Sequence, residues 1–129
     1  MSLSNFAGVS PIPFKAGGTI IKNTFVKLDS TVGQVVQATA ATDTVLGVAL
    51  NAASSGDQVQ VQIAGVAKII GNGSVTLGAQ VECAADGEAT DAGGATAYSL
   101  GIALEAGDTD QDVVEVLLAL PGVKRPPNS

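Results

Sequence analysis

The chain has 129 residues and a formal net charge of −6 at pH 7, with twelve acidic residues, six basic residues and no histidine. A nucleic-acid-binding protein needs clustered lysine and arginine to displace counterions from phosphate, so nucleic acid is excluded as a partner. The absence of histidine also excludes histidine-dependent catalytic triads and imidazole metal sites. No apolar run approaches the roughly 18 residues that cross a bilayer, so no membrane partner is expected.

Residues 1–18 are predicted to form an extended N-terminal arm, which is expected to be dispensable for folding of the rest. Two prolines in this segment bias the preceding residues away from helix and remove backbone donors. Its apolar side chains indicate either that the arm folds back onto its own body or that it docks on another protein. The candidate docking residues are Phe6, Pro11, Ile12, Pro13, Phe14 and Lys15.

The body, residues 19–121, is predicted to be all-β, as a small β-sandwich or barrel. Runs of β-branched residues are separated by short segments rich in glycine, asparagine and aspartate, which are typical of turns. Val59, Val61 and Ile63 alternate with glutamines, and this period of two indicates a half-buried strand. The polar, proline-containing segment 122–129 is predicted to be a flexible C-terminal tail.

One short sequence occurs twice in the body. Leu-Gly-Val-Ala-Leu at 46–50 is echoed by Leu-Gly-Ile-Ala-Leu at 100–104, and each copy is followed by a further apolar strand. The body is therefore interpreted as two related β modules, of about residues 24–70 and 76–121. Each module is too small to bury its own apolar face, so the two are expected to share one core.

The final predicted strand is apolar on both faces. The corresponding strand of the first module has glutamine at the positions that are out of phase with its core residues. In the second module the out-of-phase residues are Val113, Leu117 and Ala119, and only Glu115 between them is polar. A strand that is apolar on both faces is normally covered on both faces. These three residues are therefore candidates for a subunit interface, and cover by the arm or by a loop is the alternative.

No catalytic, cofactor-binding or metal site is predicted, and the protein is not expected to be an enzyme. Cys83 is the single cysteine and is interpreted as a small buried apolar residue, because a cysteine nucleophile needs a basic partner. The only dense acidic group has the spacing of a calcium loop, but it lacks the glycine and the glutamate that an EF-hand loop requires. A polar hairpin loop is favoured there over cation binding. The group consists of Asp108, Asp110 and Asp112.

These features together resemble the capsid decoration, or cement, proteins of tailed bacteriophages. The resemblance covers roughly residues 19–121 and is carried by LGVALNAASSGDQVQVQIAG, GAQVECAADGEAT and LGIALEAGDTDQDVVEVLLAL. These motifs describe turns and strands, and they are more specific as an ensemble than singly. The resemblance implies a lambda-type, tulip-shaped β fold.

The resemblance also implies a non-enzymatic protein without cofactors that is a homotrimer or, less often in this family, a monomer. It would bind the major capsid protein on the outer surface of the expanded head and staple neighbouring capsid subunits. The arm residues would then dock on the capsid. Because no signal peptide is recognised, synthesis in the cytoplasm of a bacterial host is expected. The alternatives are another small virion or surface-adhesin module, such as a fibre base or tail component, and a carbohydrate-binding or hydrolytic domain.

Overall fold

The computed structural model describes residues 11–92 and 98–124, and it contains β-strands joined by turns. None of the described residues lies in a helix long and apolar enough to cross a membrane. The all-β class predicted from the sequence is confirmed. The ten strands are β1 Ile12–Ala16, β2 Phe25–Leu28, β3 Gln34–Gln37, β4 Val45–Ala49, β5 Gln58–Gln62, β6 Val66–Asn72, β7 Gln80–Cys83, β8 Ala89–Asp91, β9 Tyr98–Ala103 and β10 Asp110–Lys124.

The strands form two five-stranded sheets, and each sheet closes on itself. The first barrel follows the order β1-β3-β2-β4-β5, and the second follows β6-β8-β7-β9-β10. In each barrel the first and third strands in chain order are parallel, and the other described pairs are antiparallel. The two barrels therefore have the same topology, which confirms that the fold is built from two related β modules.

Equivalent residues of the two barrels can be matched one by one. The Leu50 N–H donates to the Gln60 carbonyl in the first barrel, and the Leu104 N–H donates to the Glu115 carbonyl in the second, at 2.8 Å in both. Leu50 and its equivalent Leu104 are 54 positions apart, and Gln60 and its equivalent Glu115 are 55 positions apart. The repeated sequence therefore encodes a repeated set of backbone contacts.

The glycine in each copy of the repeated sequence has a packing role. A Cβ on Gly47 of β4 would collide with the backbone carbonyl of Gln62 in β5. A Cβ on Gly101 of β9 would collide in the same way with the backbone carbonyl of Leu117 in β10. Glycine at both positions lets neighbouring strands approach closely where each sheet curves into a barrel.

The apolar interior consists of two clusters. One lies inside the first barrel and includes Val26 and Val59. The other fills the second barrel and extends onto the outer surface of the first barrel, where Phe25 and Val48 are fully buried. The sequence predicted a single core shared by the two modules. The structure has two clusters instead, because each sheet closes around its own interior, and only the second cluster contains residues of both modules.

Strand β1 lies in the segment that the sequence assigned to the arm. Ile12–Lys15 pairs with β5, and Lys15 and Ala16 pair with β3. Ala16 is 1% exposed and belongs to the core of the first barrel. The described part of the arm therefore folds back onto its own body.

Residues 122–124 of the predicted flexible tail belong to β10, where Val123 and Lys124 pair with β9. Phe6 and residues 125–129 lie outside the described residues. Strand β6, grouped by the sequence with the first module, lies in the second barrel.

Candidate interaction surfaces

Strand β10 presents one apolar row to the core and another to the outside. The core-facing residues are Val114, Val116 and Leu118. The three candidate interface residues lie on the opposite face: Val113 and Leu117 are 47% and 46% exposed, and Ala119 is also exposed. The described part of the chain thus leaves about half of the Val113 and Leu117 side chains uncovered. Cover by a second subunit stays a prediction.

Strand β9 and the turn before β7 add apolar residues to this exposed region. Ile102 pairs with Leu117 across the strands and is 45% exposed. Leu104 is 38% exposed, and Leu77 in the turn is 66% exposed. We call Leu77, Ile102, Leu104 and Leu117 the second-barrel face. Sequence reasoning missed the first three of these, although the alternation of Ile102 and Leu104 with small residues was an available signal.

The corresponding region of the first barrel is covered by the second barrel. Val48 holds the position of Ile102 and is fully buried. Gln62 holds the position of Leu117, and its side-chain amide donates to the Val66 carbonyl at the start of β6, at 2.8 Å. Gln62 therefore makes a polar contact between the two barrels. Leu117, at the equivalent position of the second barrel, has no such contact to make.

Backbone groups of a turn in the second barrel bind the first barrel at this contact. The Phe25 N–H donates to the Gly87 carbonyl, and the Gln37 side-chain amide donates to the Asp86 carbonyl, at 2.8 Å in each case. A Cβ on Gly87 would lie 3.1 Å from the Phe25 carbonyl oxygen, so the turn approaches the first barrel closely. The turn that follows β7 is thus one of the elements that join the two barrels.

Cys83 is a buried thiol beside this contact, as the sequence indicated. Burial raises the pKa of the thiol to about 12, and the Asp43 carboxylate adds to the rise. Burial also acts to raise the pKa of Asp43. However, the Thr39 and Ala40 N–H groups and the Lys27 ammonium, 3.1 Å away, together hold it below its usual value. The Cys83 thiol is therefore protonated at neutral pH and is a poor nucleophile.

The acidic segment that leads into β10 contains a turn, and its last two aspartates, Asp110 and Asp112, lie at the start of the strand. Asp112 Oδ2 accepts a hydrogen bond from the Thr109 N–H at 3.2 Å. In the first barrel, Asp57 Oδ2 accepts the Ser54 N–H at 3.1 Å. Within the described residues, no group of three or more acidic, cysteine or histidine residues is arranged to hold a metal ion. Asp112 thus has a structural role that is repeated in both modules.

The candidate docking residues from 11 to 15 lie together on the first barrel. Pro11, Ile12, Pro13 and Lys15 are exposed, whereas Phe14 is partly buried against the core of that barrel. Pro13, Phe14 and Lys15 contribute to the lining of a surface depression of about 370 Å³. These residues belong to the first barrel, whereas the candidate interface residues of β10 belong to the second.

Comparisons with known proteins give the family of the chain. The sequence matches the family model described as phage cement protein over residues 7–118. No significant match exists among curated proteins. A solved structure with a similar fold is the head fiber gp8.5 N base of bacteriophage phi29, with a TM-score of 0.71 and 15% sequence identity. That similarity covers 89% of this chain and 98% of the other, and at this identity it shows a shared fold. Because the family match spans most of its length, this chain belongs to the phage cement protein family.

Proposed function

We propose that this protein binds the outer surface of the expanded phage head and staples neighbouring major capsid subunits. The observation that carries the proposal is membership in the phage cement protein family over residues 7–118. Membership makes the chain a phage structural protein. We further propose a tulip-shaped homotrimer, as in the lambda-type group that the sequence resembles. The proposed role needs neither catalysis nor a cofactor.

The exposed apolar residues of the second barrel support self-association. Several half-exposed aliphatic side chains lie close together there, and soluble monomers rarely leave extended apolar patches uncovered. Glu115 and Lys68 pair across β10 and β6 on the same outward face, which supplies charged groups beside the apolar ones. An apolar centre with polar surroundings is typical of protein interfaces. Val113, Leu117 and Ala119 are therefore kept as proposed interface residues.

The exposed side chains of β1 support docking on the capsid. Pro11, Ile12 and Pro13 present apolar surface, and Lys15 adds a positive charge in a chain whose net charge is −6. Ile12–Lys15 already pairs with β5 along one edge, and Pro11 and Pro13 have no N–H to donate along the other, so contact at these positions is proposed to go through side chains. Phe14 and Phe6 complete the proposed docking segment.

A trimer would strengthen such docking in two ways. Three copies of one weak contact raise the overall affinity through effective concentration. A protein that binds the assembled shell and not its separated parts also stabilises the shell by mass action. Stapling therefore requires no covalent chemistry and no large contact area per copy.

Binding to purified heads tests the proposal. Expanded heads that lack the protein are mixed with it and sedimented, and unexpanded heads serve as the comparison. We expect saturable binding to expanded heads and a higher temperature at which the decorated heads break open. Lys15→Glu is expected to weaken binding, whereas Thr42→Glu, at an exposed position of another loop, is the control. Absence of binding to expanded heads of the parent phage would overturn the proposal.

The base of a head fibre is a second candidate. The structural similarity to the phi29 head fiber base, which covers 98% of that chain, favours it. Both candidates place the protein on the phage head, so binding to heads does not separate them. Electron microscopy of decorated heads does: compact knobs on the shell favour the decoration protein, and elongated projections that begin at this protein favour the fibre base.

A further inference from the structure

We infer that copies of this protein contact one another head to tail, so that the second-barrel face of one copy packs against the first barrel of the next. The receiving surface, which we call the first-barrel end, consists of Leu28 and Val32, which are 59% and 99% exposed. The contact would repeat between chains the packing of the two barrels within one chain. The inference rests on the self-association part of the proposed function and specifies which surfaces meet.

The surface that the first barrel uses inside the chain is repeated on the second barrel. Phe25 and Val48 pair across β2 and β4 and are fully buried against the second barrel. Gln80 and Ile102 pair in the same way across β7 and β9. Ile102 is 45% exposed, since the described part of the chain contains no third barrel to cover it. The second barrel therefore presents the equivalent surface to the outside.

The reciprocal surface is repeated as well. Cys83 and the turn at Asp86 and Gly87 face the first barrel inside the chain. The register of β2 with β3, and of β7 with β8, places Leu28 at the position of Cys83. The turn of the first barrel that corresponds to Asp86 and Gly87 contains Val32, and the glycines of the two turns have φ values of 81° and 74°. The first-barrel end thus has the backbone shape that the second barrel uses for packing.

The exposed apolar side chains are concentrated on these two surfaces. Of the nine large apolar residues that are exposed in the described part of the chain, six belong to the second-barrel face or the first-barrel end. Leu77 holds the position of Lys22, which lines a depression with Gln62 and Val66 where the barrels meet. This distribution is expected if each surface is the partner of the other.

Charge favours head-to-tail packing over a two-fold contact between second-barrel faces. Residues 12–62 contain three lysines and three acidic residues, a formal charge of zero. Residues 66–124 contain two lysines and nine acidic residues, a formal charge of −7. A two-fold contact would bring two acidic barrels together, whereas a head-to-tail contact brings an acidic barrel to a neutral one. Head-to-tail contacts can also close into a ring, as a homotrimer requires.

Complementation between two variants tests the inference. Ile102→Glu blocks the second-barrel face, and Leu28→Glu blocks the first-barrel end. Light scattering is used to measure the mass of each variant at a concentration where the unmodified chain associates. Each variant alone is expected to be monomeric. An equimolar mixture is expected to contain a dimer, because the Leu28→Glu chain keeps an intact second-barrel face and the Ile102→Glu chain keeps an intact first-barrel end.

Ile21→Glu is the control, because Ile21 is 49% exposed and lies outside both surfaces. It is expected to associate like the unmodified chain, and circular dichroism checks that all three variants are folded. A monomeric unmodified chain, a Leu28→Glu variant that associates normally, or a mixture that stays monomeric would each overturn the inference. A monomer that still binds expanded heads would overturn it and leave the proposed function standing. A chain that associates as described but binds no heads would support the inference and overturn the proposed function.

Discussion

Val48 and Ile102 hold the same position in two barrels of one topology, yet Val48 is fully buried and Ile102 is 45% exposed. The difference comes from the packing of the second barrel on the first, since the two strands and their neighbours are otherwise equivalent. One repeated sequence thus supplies an internal contact in one module and an outward apolar surface in the other.

This relationship predicts different stability losses for the same kind of substitution. Val48→Ala is expected to lower the free energy of unfolding by about 1.5–3 kcal/mol, because it removes two methyl groups from a packed site. Ile102→Ala should lower it by less than about 1 kcal/mol, because much of that side chain is already in contact with water. Urea unfolding at a protein concentration too low for association measures both. Equal losses would contradict the difference in burial.

The glycines of the repeated sequence are expected to tolerate no side chain. Gly47→Ala and Gly101→Ala each place a Cβ against a backbone carbonyl of the neighbouring strand, which can be relieved only by moving the strand. We expect losses of about 1–3 kcal/mol or more for each. Gly18→Ala is the matched control, because a Cβ there meets nothing within 4 Å. Thermal unfolding of the three variants provides the comparison, and a neutral Gly47→Ala would be inconsistent with the close strand approach.

The sequence was sufficient to predict the outward face of β10. Alternation in a strand has a period of two, so the residues between Val114, Val116 and Leu118 had to point the other way. It was not sufficient to predict the exposure of Ile102, because the same motif at Val48 is buried and only the relative placement of the barrels distinguishes them. Nor could it show that β1 closes the first barrel. The apolar residues of β1 suit an internal strand and a docking arm equally well.

Cys83 is expected to make the stability of the protein fall as the pH rises above 9. Burial, with a further contribution from Asp43, raises the thiol pKa in the folded protein from 9.0 to about 12. The contribution of the protonated thiol is fully present below pH 9. Between these two values the unfolded chain loses this proton and the folded chain keeps it, so unfolding becomes easier by about 1.4 kcal/mol per pH unit.

Cys83→Ala isolates this contribution, because other groups also titrate at high pH. The difference in unfolding free energy between the unmodified chain and the variant is measured in urea at pH 8 and at pH 10. The unmodified chain should lose more stability than the variant over this interval. A difference that is the same at both pH values would mean that the thiol is not shielded from water as described.

Asp57 and Asp112 are expected to stabilise their turns by similar amounts. Removing either carboxylate with Asp57→Ala or Asp112→Ala leaves a backbone N–H without its present acceptor, and we expect a loss of about 0.5–1.5 kcal/mol for each. Asp108→Ala, at an exposed position just before β10, should be neutral. Calcium should leave the melting temperature of the unmodified chain unchanged. A rise of several degrees in calcium would restore the cation-binding alternative for this acidic segment.

Two truncations are expected to separate the docking segment from the barrel. Removing residues 1–10 leaves β1 in place, so the chain should unfold cooperatively at nearly the same temperature as the full protein. Removing residues 1–16 deletes β1, which takes hydrogen-bonding partners from β3 and β5 and uncovers the core around Val59. Unpaired strands of this kind lose stability and promote aggregation. The dispensability of residues 1–18 that was expected from the sequence should therefore hold for the first ten residues and fail for the strand.

Circular dichroism and hydrogen exchange at the β5 amides distinguish the two truncations. The shorter truncation should retain slow exchange at Val59 and Val61, whereas the longer one should lose it. If the chain that begins at residue 17 is as protected as the full protein, β1 is not an integral strand. If the chain that begins at residue 11 folds normally but binds expanded heads less tightly, the segment that contains Phe6 contributes to docking. The measured loss of head binding then belongs to that segment alone, since both barrels are still complete.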